Sequence, residues 1–183
     1  MTAAVERDGE GQQALLSGDR ETARAAFAAA AELYRQSWEA APPSAYGRLV
    51  GMLKSGVLAG AGGPEAQYVR SALGERDPES ATASYAQALA ALILDEDRDA
   101  GIWAGRMGAG TDAFARTGEA IGALAARDDG SYAAALTAIV HDFEQRTEHL
   151  TGVAIADTAL LLATLAARRG MAAAIDSPVL PAL

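Results

Sequence analysis

"GQQALLSGDRETARAAFAAAAELY", residues 11–34, decides the fold of this chain. Alanine dominates its second half, and alanine is the strongest intrinsic helix former. Gly18-Asp19 breaks the stretch in two: the glycine supplies a turn, and the Asp19 side chain suits the cap of the helix that follows. Gly11, Gly18, Ala23, Phe27 and Ala30 stand at relative positions 0, 7, 12, 16 and 19. A helix, a tight turn and a second helix are expected.

That spacing resembles the tetratricopeptide repeat. In that family small residues mark where two antiparallel helices touch, and an aromatic fills the gap between them. The match covers roughly residues 4–37 and lacks the usual closing proline, because Arg35 stands there and Pro42-Pro43 come later. The resemblance implies a pair of antiparallel helices that touch at these small residues, with an aromatic filling the gap.

Outward from this hairpin, helical segments follow one another with clear punctuation. Ser44 is expected to cap a helix to about Ala59, broken by "GAGGPE". Pro64 opens a short helix to about Gly74, at the first turn where its missing N–H costs nothing. Pro78 opens another, from Glu79 to Leu94. "DEDRD" leads into a helix through Trp103 and Met107, and Thr111 caps the next, which stops at "RDDGS". Ser131 starts a helix carrying both histidines, stopped by Thr151-Gly152. The last helix runs from Val153 to Arg169 and closes at Gly170, a usual C-terminal stop. Gly130 and Ala135 repeat the offset of Gly18 and Ala23, whereas the middle segments match the motif poorly. These nine helices predict a single all-α domain over residues 1–183, with stacked helical hairpins arranged as a solenoid or a compact bundle.

Composition agrees. Half of the 183 residues are hydrophobic but only 5% are aromatic, and alanine makes up about a quarter of the chain. β-branched runs bounded by turns are missing. A net charge of −9 argues against nucleic acid or an anionic membrane as partner, since both need a basic patch. It fits a basic protein partner, or solubility alone. The absence of cysteine excludes disulfides and cysteine-bound metals. No basic start followed by an apolar stretch opens "MTAAVERDGEGQQ", and the greasiest run, Val153 to Ala167, is interrupted by Asp157 and too short to span a bilayer. A cytoplasmic address is the default expectation.

Three stretches invite a chemical reading. "VHDFEQRTEHL", residues 140–150, holds the two histidines. On a helix His141, Gln145 and His149 share one face, but histidines two turns apart cannot grip one ion directly. A solvated helix face is expected. "DEDRDAGIWAGR" begins like a calcium loop with Asp95, Asp97 and Asp99, yet Ala100 replaces the glycine and Arg106 the closing glutamate, so helix capping is the better account. "GRMGAGT" spaces Gly105 and Gly110 like a phosphate loop, but Thr111 stands where the lysine belongs and the sole lysine, Lys54, lies far away. A glycine-rich junction that permits close helix packing explains it, as it does Gly56 and Gly60. Neither a catalytic residue, nor a cofactor, nor a metal site is expected.

The candidate partner-binding residues are Tyr34, Trp38, Tyr46 and Tyr68, which stand beside arginines in "ELYRQSWEAAPPSAYGR" and "EAQYVRSALGER". Aromatics of this kind anchor protein interfaces, and at helical spacing they equally serve inter-helix packing.

"SYAAALTAIVHDFEQRT", followed by "IADTALLLATLAARRGMAAAIDSPVLPAL", resembles the C-terminal end of the all-helical immunity proteins of bacterial polymorphic toxin systems. The matching residues are Tyr132, Ala135, Leu136 and His141, then Gly170, Ile175 to Pro178, and Leu180-Pro181. They cover under a third of the chain. The resemblance implies a non-enzymatic protein that binds and neutralises a cognate toxin, and the net charge of −9 suits a basic toxin domain. The alternative is a scaffold or adaptor that holds a peptide in a groove, and a third class is an enzyme or small-ligand binder using His141 and Glu144.

Overall fold

The computed structural model describes residues 1–74 and 80–181, and among them every regular element is an α-helix. In chain order these are α1 (Thr2–Leu16), α2 (Arg20–Glu39), α3 (Gly47–Leu58), α4 (Gly63–Leu73), α5 (Ala81–Ile93), α6 (Asp97–Met107), α7 (Asp112–Ala125), α8 (Asp129–Glu144) and α9 (Asp157–Arg168). Pro78 and Glu79, expected to open the fifth helix, lie outside the described residues. No described helix is long and apolar enough to cross a membrane.

The N-terminal hairpin forms as its sequence predicts. Asp19 accepts a hydrogen bond from the Thr22 amide at 3.0 Å, the cap that starts α2. Gly11 faces Phe27 so closely that a methyl group there would sit 2.8 Å from the ring. The same device joins α2 to α3, where a Cβ on Gly51 would lie 2.7 Å from the Tyr34 ring. Glycine on one helix lets the partner's aromatic lie almost against backbone.

Each helix packs on its sequence neighbours, and α3, α5, α7 and α9 also touch in succession. Since α9 returns to α3, this inner set closes on itself. The row of hairpins is therefore a closed bundle rather than an open solenoid. Burial follows the topology. Every residue of α5 from Ala83 to Leu92 is buried, as suits a helix walled in by α3, α4, α6 and α7. The outer helices α4 and α6 bury one stripe each, Ala66, Val69 and Leu73 or Ala100, Ala104 and Met107, at the three- and four-residue spacing of a single face.

Three helices have boundaries that differ from the expected ones. Ser44 does not cap α3, because Pro42-Pro43 begins a turn in which the Ala45 amide bonds the Pro42 carbonyl, and the helix opens only at Gly47. α8 is capped by Asp128, whose carboxylate accepts from the amide and hydroxyl of Ser131, and it ends at Glu144 rather than at Thr151. α9 starts at Asp157 instead of Val153. Val153 and Ile155 are drawn into an apolar cluster with Leu160, and the Ala156 amide bonds the Val179 carbonyl, so these residues are held outside the helix. Thr111 precedes α7 in an extended conformation without a side-chain cap bond.

Candidate functional site

The four candidate aromatics separate into one core residue and three surface residues. Tyr34 is 2% exposed, with its ring on Gly51 and its hydroxyl donating to Asp8 at 3.3 Å, so it is withdrawn from any partner. Trp38, Tyr46 and Tyr68 are half-buried. The Trp38 and Tyr46 rings lie 5.9 Å apart, and the Tyr68 hydroxyl donates to Glu39 at 3.1 Å. Arg35 links Glu32 and Glu39 in a chain of ion pairs along α2. Between α2 and α4 runs a groove of about 420 Å³, lined by Ala28, Ala31, Met52, Tyr68 and the charged Glu32, Arg35 and Glu65. Sequence distance hides this meeting of α2, α3 and α4.

His141 and His149 do not share a helix face. α8 has ended before His149, and the structure sends the two rings to different surroundings. His141 is exposed and pairs with Gln145 at 2.8 Å, as helical spacing predicts. His149 stacks on Phe143 with ring centroids 6.3 Å apart, and its buried Nδ1 has no hydrogen-bond partner among the described residues.

That nitrogen belongs to a residue bordering a cavity of about 190 Å³ whose polar lining includes Asp8, Gln12, Lys54, Arg146, Thr151 and Asp157. Lys54, the sole lysine, donates to Asp157 at 2.9 Å and to the Thr158 hydroxyl at 2.8 Å. Burial opposes its charge, but Asp157 foremost, with Tyr85 and Asp8, more than restores it, so the ammonium titrates above the ordinary lysine range. Asp8 goes the other way. Burial, then repulsion from Asp157, pushes its carboxyl from 3.8 up to about 6, against the pull of Lys54 and the Tyr34 hydroxyl. Burial likewise raises the Tyr34 and Tyr85 phenols. One ammonium thus serves two carboxylates, and the cluster ties α1, α2, α3 and α9 together.

The aspartates of "DEDRD" are engaged by arginines. Asp95 and Asp97 pair with Arg169, and Asp99 pairs with Arg70 at 3.0 Å. Among the described residues no group of three or more His, Asp or Glu is placed to hold a metal ion. In "GRMGAGT", Gly110 does permit close packing, since a Cβ would lie 2.8 Å from that of Ala81, whereas Gly105 faces open space. Gly56 lies against Glu65, and Gly60 serves a turn at φ +120° instead.

The residues that sequence reasoning missed are Asp8, Lys54 and Asp157. Their signal was present: Lys54 interrupts "LVGML" and "SGVL", and Asp157 interrupts the greasiest run of the chain. A charge inside an apolar run needs a partner. No protein-family model, curated protein or solved structure matched the chain.

Proposed function

We propose that the protein works by binding a protein partner along the edge formed by α2, α3 and α4. The observation that carries this is a groove lined by half-buried Tyr68, whose charged residues are mainly glutamates, together with the half-buried Trp38–Tyr46 ring pair at the end of α2, where Tyr68 also reaches Glu39. Tryptophan and tyrosine lend large rigid area to an interface, and surrounding carboxylates select and steer a basic partner. In its most specific form the partner is a toxin domain, which the C-terminal resemblance to immunity proteins implies, and the setting is the bacterial cytoplasm. Neutralisation would then be steric: the helical surface covers a basic site on the toxin.

Co-expression with the product of a neighbouring gene in a sensitive host tests this reading. Host survival, lost in a Trp38→Ala/Tyr68→Ala variant that keeps its helical circular dichroism, supports neutralisation. Absence of both rescue and a complex sinks the immunity role. The groove between α2 and α4 favours the second reading, an adaptor that holds a basic peptide. Arginine-rich peptides that bind the native protein, but not the double variant, would sustain that alternative.

A further inference from the structure

A second groove, of about 430 Å³, opens where the end of α1, the start of α2, the end of α3 and α9 come together. Its apolar lining comprises Leu15, Val57, Leu58 and Ala167. Its charged lining is Arg20, Arg24 and Arg168, and among the described residues no carboxylate shares it. In a chain of net charge −9 this is a local reversal of sign.

The three guanidiniums are not equivalent. Arg168 donates to the carbonyls of Ala61 at 2.9 Å and Gly60 at 3.3 Å, just past the end of α3, and is thereby fixed in place. Arg20 and Arg24 stand one turn apart on α2, and neither guanidinium forms an ion pair or hydrogen bond with a described residue. Like charges at this spacing repel each other. Asp19 holds its carboxylate on the Thr22 amide and makes no ion pair with either arginine. Glu21 does not line the groove. A pair of free guanidiniums above an apolar trough suits an anion with an apolar body, since the guanidinium fork matches carboxylate and phosphate oxygens in pairs. The volume falls within the range of small-molecule sites.

We infer that this groove binds a small amphipathic anion, its apolar chain lying along Leu15, Leu58 and Ala167 and its carboxylate or phosphate head held by Arg20 and Arg24. The site is separate from the aromatic edge and does not depend on a protein partner.

Isothermal titration calorimetry on the full chain tests it with four probes: decanoate, decyl phosphate, inorganic phosphate and decyltrimethylammonium. Saturable binding of decanoate or decyl phosphate, one per chain, is expected, and the tighter of the two identifies the head group. Inorganic phosphate and the cationic amphiphile should bind at least tenfold more weakly. Arg20→Gln/Arg24→Gln should weaken the anion tenfold or more while thermal unfolding stays unchanged, because both side chains are exposed. Ala167→Glu, which sets a carboxylate in the trough at another exposed position, should do the same. The inference is overturned by any of three results: no saturable binding of either anionic amphiphile below about 1 mM, equal affinity in both variants, or equal affinity for the cationic amphiphile.

Discussion

The two ends of α9 are secured by opposite arrangements. At its start, Asp157 on the helix meets Lys54 from α3, beside a cavity, with Asp8 competing for the same ammonium. At its finish the cations belong to α9 and the loop after it. Arg168 reaches the Gly60 and Ala61 carbonyls just past α3, and Arg169 reaches the Leu92 carbonyl, Asp95 and Asp97 around the α5–α6 turn. Both arrangements suit the helix dipole, which favours anions at the start and cations at the finish. They differ in slack. Asp95 remains mostly in water and can be released cheaply, whereas Asp8 is buried and Asp157 only a quarter exposed, with one counter-charge between them. Polar contacts near the surface tolerate loss, and enclosed ones do not.

The largest expected effect comes from Lys54→Met, which fills similar space but strands two carboxylates. It should cost about 3–5 kcal/mol in urea unfolding, the range for breaking a buried pair. A loss below about 1 kcal/mol would show that the start of α9 is as open as its finish.

Next comes the pH dependence of Asp8. Its folded pKa of about 6 lies above the unfolded 3.8, so the folded state holds the proton more tightly. The stability it lends is fully present below pH 3.8 and fades as pH rises through about 6. The whole change is on the order of 3 kcal/mol. In Asp8→Asn this slope should vanish, so the variant should gain on the native protein between about pH 4 and pH 7. Parallel stability curves for the two proteins would refute that sign.

Arg169→Met probes the other end. Its side chain is only 3% exposed, but Asp95 lies mostly in water and Asp97 keeps Arg127 as a partner, so a loss of about 2 kcal/mol is expected, in line with a hydrogen-bonded charge. Should it exceed Lys54→Met under the same conditions, the contrast between the two ends reverses. The smallest effects separate the histidines. His149→Ala removes a ring stacked on Phe143 and should cost about 1 kcal/mol. His141→Ala, on the exposed face of α8, should stay within about 0.5 kcal/mol.

Much of the fold was legible because its signals are local. Gly11, Asp19 and Phe27 declare the first hairpin within seventeen residues, and the glycine and proline punctuation separates helices whose alanine content leaves little doubt of type. Boundaries failed where tertiary contacts overrode helical preference. Val153 and Ile155 read as helix by composition but are held outside it by burial beside Leu160 and by the Val179 carbonyl. The same override hid the two histidines' separate fates, since nothing within "VHDFEQRTEHL" announces that α8 stops at Glu144. For the candidate sites the limit was distance in sequence. Lys54 and Asp157 lie 103 residues apart, and Arg24 and Arg168 reach one groove from different ends of the chain. Closure of the inner helices brings them together, and no periodicity encodes closure.

That closure also bears on how the chain is made. α9 leaves the ribosome after every helix it touches, so α3 and α7 must wait with their α9-facing surfaces uncovered. Chains fold from the N-terminus as they emerge, and transiently uncovered apolar surface is what draws chaperones and aggregation. The nascent protein therefore passes through a gapped stage that the finished molecule never shows. Its vulnerability in the cell is concentrated in the interval before Leu160, Leu161, Leu162 and Leu165 arrive to be buried.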